Sequence, residues 1–154
     1  MQDFKPEVQQ LIHRIQPFET VERVMTGLRA AGITALSLDL MYGLPGQSTQ
    51  SVAETARLAA SLKPERLSLF SYAHVPGMKP YQRALEEAGL PDDMERLSQE
   101  HAVRDVLTAE GYVSIGIDHF AKPTDALAVA DLEGRLSRNF QGYTDDAASL
   151  LLGL

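Results

Sequence analysis

The stretch SLDLMYGLPGQS at residues 37–48 joins a predicted β-strand to a glycine-rich turn. Residues 34–41 are mostly apolar, and near-continuous apolar strands are typical of parallel sheets that are covered on both faces. The strand nevertheless carries one carboxylate, Asp39, and leads directly into the turn GLPG at residues 43–46. An apolar strand with an acid near its end and such a turn after it indicates a binding edge rather than plain core.

Helix and strand signals alternate along the rest of the chain. Residues 19–31 place apolar side chains at helical spacing and stop at Gly32, and Ser48 or Thr49 can cap the helix after the GLPG turn. We predict two further strands, at residues 66–72 and 112–117, and two further helices, at residues 82–88 and 94–110. This order, with connections long enough for parallel crossovers, predicts an α/β protein, and residues 134–146 predict a loop.

The composition excludes several classes of protein. The chain has 154 residues, enough for one domain with a core, and a net charge of −7 from 21 acids and 14 bases. That balance argues against a nucleic-acid partner, because no basic stripe is present to neutralise phosphates. No cysteine occurs, so this chain supplies no thiolate ligand for zinc or an iron–sulfur cluster. No apolar run is long enough to span a bilayer, and we expect no membrane partner and a cytoplasmic location.

Asp39 allows two interpretations. A carboxylate in a mostly buried strand must be hydrogen-bonded or paired, since an unpaired buried charge costs several kcal/mol. It could accept hydrogen bonds from the backbone of the turn at residues 43–46, or it could receive the hydroxyls of a bound ligand such as a ribose. The turn itself lacks the spacing of a phosphate-binding or dinucleotide-binding loop, so a tight strand-to-helix turn is the favoured interpretation there.

Polar residues follow each predicted strand at the end where ligands bind in parallel α/β sheets. Besides Asp39 they are Tyr42 after the first strand, Tyr72, Ala73 and His74 after the second, and Asp118 and His119 after the third. His74, Asp118 and His119 could form a divalent metal site, since imidazole and carboxylate suit several metals. Adjacent residues of a strand point to opposite sides, so a structural histidine or a loop anchor is the favoured interpretation.

Five motifs resemble one known family. They are QDFKPEVQQLIHR at residues 2–14, SLDLMYGLPGQS at 37–48, RLSLFSYAHVP at 66–76, YVSIGIDHFAKPTDALAVA at 112–130 and GRLSRNFQGYT at 134–144. Together they resemble the oxygen-independent coproporphyrinogen III oxidases, which are radical S-adenosylmethionine enzymes of haem biosynthesis. The last two motifs resemble the oxidase branch and not the related haem-chaperone branch. Ser137 and Gly46 depart from the pattern, where the family often has histidine and lysine.

The resemblance implies an oxidoreductase, a coproporphyrinogen dehydrogenase. In this family a [4Fe-4S] cluster reductively cleaves S-adenosylmethionine, and the resulting 5′-deoxyadenosyl radical abstracts hydrogen from the propionate side chains of coproporphyrinogen III. Two propionates are oxidatively decarboxylated to the vinyl groups of protoporphyrinogen IX. The resemblance also implies two S-adenosylmethionine molecules in adjoining sites and a monomer when the protein is full length. It assigns no catalytic residue within this chain.

Four positions of this sequence match family residues that contact the second S-adenosylmethionine. They are Gln2, Arg14, Asp39 and Ala73. The chemistry fits that role, because Asp39 can accept ribose hydroxyls and Arg14 can pair with a carboxylate. Gln2 offers both a donor and an acceptor, and Ala73 is small enough to leave room for a ligand.

The resemblance further implies that residues 1–154 are the C-terminal part of a radical S-adenosylmethionine barrel domain. We expect the latter half of a (βα)6-type partial TIM barrel, with parallel strands and crossover helices. The cysteine motif would lie upstream and the accessory C-terminal domain downstream, so we expect the chain alone to be inactive. Two alternatives remain: a cysteine-free module that binds a nucleoside or a tetrapyrrole without catalysis, and a metal-dependent hydrolase that uses His74, Asp118 and His119.

Overall fold

The computed structural model describes residues 1–139, 142–146, 148 and 150. The α-helices are α1 (Pro6–Leu11), α2 (Phe18–Ala30), α3 (Thr49–Ser61), α4 (Arg83–Glu87), α5 (Asp93–Ala109) and α6 (Ala126–Leu132), and a 3-10 turn, Pro80–Gln82, precedes α4. The strands are β1 (Ser37–Tyr42), β2 (Arg66–Ser71), β3 (Val113–Ile115), β4 (His119–Ala121), β5 (Ser137–Asn139) and β6 (Gly142–Thr144). None of the helices within these described ranges is long and apolar enough to cross a membrane.

The main sheet is mixed, with strand order β1-β2-β4-β3. Strands β1 and β2 pair in parallel, but β4 runs antiparallel to both β2 and β3. The predicted α/β class is therefore confirmed, whereas the prediction of parallel strands throughout is wrong. The predicted third strand ends at Ile115, and Gly116, at φ +58°, begins a turn that sends the chain back between β2 and β3. A three-residue strand such as β4 is too short to give a periodic sequence signal.

Strands β5 and β6 form a separate antiparallel hairpin in the region where a loop was predicted. The loop prediction for residues 134–146 is therefore wrong for both strands. Residues 140 and 141, which belong to the motif GRLSRNFQGYT, lie outside the described residues. The hairpin contacts the main sheet through Tyr143, whose hydroxyl accepts a hydrogen bond from the Ile117 N–H at 3.0 Å.

One face of the main sheet forms the hydrophobic core against α2, α3 and α5. Leu38 and Leu40 of β1, Leu67 and Leu69 of β2, and Phe120 of β4 point to this face. Helical side chains that pack against them include Val21, Met25, Val52, Ala56, Ala59, Val103 and Leu107. Each large apolar side chain buried in this way contributes about 1.5–3 kcal/mol relative to exposure.

The opposite face of β1 is open. Burial alternates along β1, so that Ser37 and Asp39 are exposed while Leu38 and Leu40 are buried. The prediction that this strand is covered on both faces is therefore wrong. Among the described residues, α6 packs on this face at the opposite edge of the sheet, where Ala128 clusters with buried residues of β3 and β4.

An ion pair fixes the position of α6. Arg66 at the start of β2 donates from Nε to both carboxylate oxygens of Asp125 at 2.9 Å. Asp125 also caps α6, because it accepts a hydrogen bond from the Leu127 N–H at 2.8 Å. The strand and the helix thus share one carboxylate, which places α6 beside the amino end of β2.

A buried carboxylate, Asp3, joins the N-terminal segment to α3 and to the turn after β1. Its side chain is only 1% exposed and accepts hydrogen bonds from the Lys5 N–H at 2.6 Å, the Thr55 hydroxyl at 3.0 Å and Gln47 Nε2 at 2.6 Å. Burial raises the pKa of the Asp3 carboxyl, and the hydrogen bonds from Gln47, Lys5 and Thr55 offset only part of that effect.

Replacing Asp3 by alanine is expected to lower the free energy of unfolding by roughly 2–3 kcal/mol, because it leaves buried donors without an acceptor. Urea unfolding followed by circular dichroism measures the change. Asp105→Ala is the matched control, since Asp105 is an exposed acid on α5, and we expect it to change stability by less than about 0.5 kcal/mol. Equal effects of the two substitutions would contradict the assignment.

The stability contributed by Asp3 is expected to depend on pH. Because its pKa is higher in the folded than in the unfolded chain, the folded state holds the proton more tightly. Stability therefore falls as pH rises from the unfolded value, about 3.9, through the raised folded value. The free energy of unfolding of the parent minus that of Asp3→Asn should decrease over this interval and be constant on either side of it. A difference that rises with pH would contradict the sign of the shift.

Candidate functional site

Residues at the carboxyl ends of β1 and β2 line a cleft of about 510 Å³ next to α5. The lining residues are Tyr42, Ser71, Asp93, Arg96, Leu97, Glu100, Arg104 and Ile117. The strands are in register here, since Tyr42 pairs with Ser71 and the Tyr72 N–H donates to the Tyr42 carbonyl at 2.8 Å. Tyr42 therefore lies where the sequence predicted a ligand-binding edge, but Asp39 does not line this cleft.

The GLPG turn after β1 is held by side chains and not by Asp39. The Gly43 N–H donates to Gln99 Oε1 at 2.9 Å, and the Leu44 N–H donates to Gln47 Oε1 at 2.8 Å. The interpretation that Asp39 caps this turn is therefore wrong, and so is the premise that its carboxylate is buried. Asp39 accepts no hydrogen bond from any residue in the described part of the chain.

Gln2 lies at the outer edge of β1, the edge that does not pair with β2. The Gln2 carbonyl accepts a hydrogen bond from the Met41 N–H at 2.9 Å, so the N-terminal segment runs along this edge. The pKa of the Met1 amino group is lowered by burial and then by the charge of Arg14, while the charge of Asp39 acts in the opposite direction. Arg14 and Asp39 therefore both lie within electrostatic range of the Met1 amino group, which precedes Gln2 in the chain.

Two of the predicted side chains retain bonding capacity. The Gln2 side-chain oxygen is buried and has no hydrogen-bond partner within the described ranges. Arg14 donates to Gln16 Oε1 at 3.1 Å through Nε alone, which leaves its terminal nitrogens for another acceptor. A buried acceptor, an exposed carboxylate and a guanidinium fit a ligand that carries hydroxyls, N–H groups and a carboxylate.

Ala73, the fourth predicted residue, lies farther along the sheet. Asp39 pairs with Ser68 of β2, and Ala73 follows Ser68 by five residues, roughly 15 Å along an extended strand. Ala73 is exposed, and its carbonyl accepts a hydrogen bond from Gln82 Nε2 at 3.0 Å. The described contacts do not join Ala73 to Asp39.

His74 anchors the loop after β2. Its Nε2 lies 2.7 Å from Glu86 Oε1 and its Nδ1 lies 3.3 Å from the Tyr72 hydroxyl. An ionised carboxylate only accepts, so Nε2 carries a proton, and in the neutral imidazole the Tyr72 hydroxyl donates to Nδ1. Burial raises the pKa of the Tyr72 hydroxyl.

The structure does not bring His74 together with Asp118 and His119 as a metal site would require. His74 is bonded to Glu86, whereas His119 Nδ1 lies 2.7 Å from Asp118 Oδ1. Among the residues that the structure describes, no three histidine, aspartate or glutamate side chains are grouped so as to hold a metal ion. His74 instead agrees with the favoured interpretation of a loop anchor.

Sequence reasoning missed the side chains of α5 that support the site. Gln99 is fully buried and holds the Gly43 N–H, while Arg96 donates to the Ser71 hydroxyl at 2.6 Å and to the Tyr72 carbonyl at 3.0 Å. Gln99 lies four residues before the buried Val103, on the apolar face of α5. A polar residue on an apolar helical face was the available signal, because a buried amide requires partners.

Comparisons with known proteins agree with the motif resemblance. The chain is 48% identical to an oxygen-independent coproporphyrinogen III oxidase of Bradyrhizobium diazoefficiens, over 99% of this chain and 34% of the relative. It is 45% identical to the protein of the same name from Escherichia coli K12, over 100% of this chain and 34% of the relative. No protein-family profile matches.

The fold has a solved counterpart. The structure of coproporphyrinogen III oxidase (HemN) from Escherichia coli, described as a radical SAM enzyme, superposes with a TM-score of 0.91 at 45% identity. The match covers 96% of this chain and 34% of that one. The resemblance drawn from the motifs is thereby confirmed. The chain spans about a third of the length of these relatives.

Gly43 and Gly27 provide a matched test of the turn. Gly43 adopts φ +81°, and a Cβ there would lie 3.2 Å from Arg96 Nε, whereas a Cβ at Gly27 in α2 meets nothing within 4 Å. Gly43→Ala is expected to lower the free energy of unfolding by roughly 1–3 kcal/mol, and Gly27→Ala to raise it by about 0.5–1 kcal/mol. Chemical unfolding checks both values. Stabilisation by Gly43→Ala would refute this geometry.

Proposed function

We propose that this chain is part of an oxygen-independent coproporphyrinogen III oxidase and that it supplies one wall of a nucleoside site in that enzyme. The observation that carries the proposal is that Gln2 runs along the outer edge of β1, the strand that carries the exposed Asp39, with a buried side-chain oxygen that has no partner among the described residues. The charge of Arg14 acts on the Met1 amino group beside Gln2. Gln2, Arg14 and Asp39 are positions at which the resemblance implies contacts to a second S-adenosylmethionine. The similarity over the whole chain supports the same function.

The three side chains have complementary roles toward that ligand. The Asp39 carboxylate would accept the ribose hydroxyls, and the Arg14 guanidinium would pair with the amino-acid carboxylate. The orphaned Gln2 oxygen would accept an N–H group of the ligand, which would remove the cost of a buried acceptor without a partner. Ala73 belongs to this proposal through the resemblance alone.

The iron–sulfur cluster does not fit the residues of this chain. None of the 154 residues is a cysteine, so its thiolate ligands come from elsewhere. Together, a [4Fe-4S] cluster and S-adenosylmethionine supply the radical chemistry that oxidises the propionates. We infer that this chain binds and orients ligands and is inactive by itself in converting coproporphyrinogen III to protoporphyrinogen IX.

The open face of the sheet suits the interior of a larger barrel. In (βα) barrels the helices form an outer ring, the inner face of the sheet is enclosed, and the active site lies at the carboxyl ends of the strands. Here α2, α3 and α5 cover one face, while Asp39 lies exposed on the other. We propose that residues 1–154 form the C-terminal part of a (βα)6-type barrel domain, completed by an N-terminal part and followed by an accessory domain. A monomeric state and a cytoplasmic location belong to the same proposal.

A binding module without catalysis is the second candidate. The lack of cysteine in this chain supports it, since the chain would keep the proposed nucleoside site while supplying no cluster ligands. The two candidates differ in turnover. A binding module binds S-adenosylmethionine or a tetrapyrrole, but adding the N-terminal part of a relative as a separate chain does not restore oxidation of coproporphyrinogen III. Restored formation of protoporphyrinogen IX would favour the enzyme fragment.

Substitutions at Asp39 and Arg14 are expected to separate the two ends of the nucleoside ligand. Asp39→Asn should lower affinity for both S-adenosylmethionine and adenosine about tenfold, because it removes the charged acceptor of the ribose hydroxyls. Arg14→Gln should lower affinity for S-adenosylmethionine to a similar extent but leave adenosine unchanged, since adenosine lacks a carboxylate. Isothermal titration calorimetry on the purified chain measures both ligands.

Asp105→Asn is the control for these titrations, because Asp105 is an exposed acid on α5. It should bind both ligands with the affinity of the parent chain. Equal loss of adenosine and S-adenosylmethionine binding in Arg14→Gln would contradict the assigned orientation. A parent chain that binds neither ligand would contradict the proposed site.

A further inference from the structure

A row of side chains crosses the face of the main sheet that carries Asp39. Asp39 pairs with Ser68, Ser68 pairs with His119, and His119 pairs with Ile115. Laterally paired residues point to the same face, so His119 shares the face of Asp39. Two strand spacings separate these residues, which is roughly 10 Å. The nucleoside proposal does not use His119.

His119 is held in a fixed orientation. Its Nδ1 lies 2.7 Å from Asp118 Oδ1, and because an ionised carboxylate only accepts, Nδ1 carries a proton. The ring is flanked edge-on by Phe70, at a centroid distance of 6.2 Å, and by Tyr143, at 5.3 Å. No residue in the described ranges is hydrogen-bonded to Nε2, and the His119 side chain is 19% exposed. Nε2 is therefore the ring nitrogen left for a ligand.

The hairpin β5–β6 places a cation beside the Tyr143 ring, which also contacts His119. Arg138 of β5 pairs with Tyr143 of β6, and its guanidinium carbon lies 5.2 Å from the centre of the Tyr143 ring. Gly116 allows Tyr143 to approach the main sheet, because a Cβ on that glycine would clash with the tyrosine ring. Arg138 forms no ion pair with a described residue, so its N–H groups remain for a ligand.

We propose that His119 and Arg138 form a subsite for a carboxylate carried on an aromatic or pyrrolic ring. Both side chains donate N–H groups, Arg138 always as a cation and His119 through Nε2 when the ring is protonated, which is the donor set that binds carboxylates. The rings of Phe70 and Tyr143 beside them provide apolar and π surface for a ring system. Asp118 is a positioning residue that acts through His119.

The assignment deepens the proposed function and rests on it for the identity of the ligand. A porphyrinogen with propionate side chains presents carboxylates on pyrrole rings, which match this combination of donors and aromatic surface. A ligand fixed at His119 would lie about two strand spacings, roughly 10 Å, from a nucleoside at Asp39. The subsite would therefore hold one propionate while the nucleoside site holds its own ligand.

The test compares coproporphyrin III, the stable oxidised form with four carboxylates, with its neutral tetramethyl ester. Both are titrated in the same dilute non-ionic detergent into the purified chain, and binding is followed by the shift of the Soret absorption. We expect the parent chain to prefer the acid. His119→Phe, which keeps the aromatic packing, and Arg138→Gln should each reduce that preference about tenfold, the effect of losing a charge-assisted hydrogen bond.

Three further variants serve as controls for this result. His101→Phe is the matched control, because His101 is exposed on α5, and it should keep the preference of the parent chain. His119→Gln replaces His119→Phe if circular dichroism shows that the phenylalanine variant is unfolded. Asp118→Ala should lower acid binding less than His119→Phe, since the imidazole remains.

The failure of this subsite and the failure of the nucleoside site can be told apart. An unchanged acid preference in His119→Phe and Arg138→Gln, or no preference in the parent chain, overturns the subsite even if S-adenosylmethionine binds. Loss of the preference with an unchanged affinity for S-adenosylmethionine supports it. If the parent chain binds no S-adenosylmethionine but its acid preference depends on His119, the subsite stands and the nucleoside proposal falls.

Discussion

The buried carboxylate of Asp3 is the constraint on which the candidate site depends. An anion that is 1% exposed must be hydrogen-bonded, and its acceptor positions are filled by donors from the N-terminal segment, from α3 and from the turn after β1. Gln47 extends this network, because its Nε2 also donates to the Met41 carbonyl at 2.8 Å. The segment that carries Gln2 is thereby fixed along the outer edge of β1, which forms one wall of the proposed site.

The two faces of the main sheet have separate tasks. The face that carries Leu38, Leu67 and Phe120 packs against helices and contributes most of the apolar burial. The other face keeps Asp39 exposed, so a charge remains available at little cost in desolvation. In β1, the buried apolar residues stabilise the fold, while the exposed residues between them remain available to contact a ligand. Helix α5 supports both tasks, since Gln99 and Arg96 hold the loops after β1 and β2.

The sequence predicted much of the fold, because many of its signals are local. Apolar spacing located α2 and α5 to within one residue, and Ser48, one of the two candidate caps, caps α3. The exposure of Asp39 was mispredicted because the apolar run around it resembles a strand covered on both faces, whereas only the even positions Leu38 and Leu40 are buried. The network of Asp3 was missed because its partners Gln47 and Thr55 are distant in sequence.

The sequence by itself determined the order of helices and strands, the α/β class and, through its motifs, the resemblance to coproporphyrinogen III oxidases. Only the tertiary structure decided that β4 runs antiparallel between β2 and β3, and therefore that His119 lies in the same row as Asp39. It also decided which face of β1 stays open. The physical reason is that helix spacing and caps act within a few residues, whereas strand direction and burial depend on partners far along the chain.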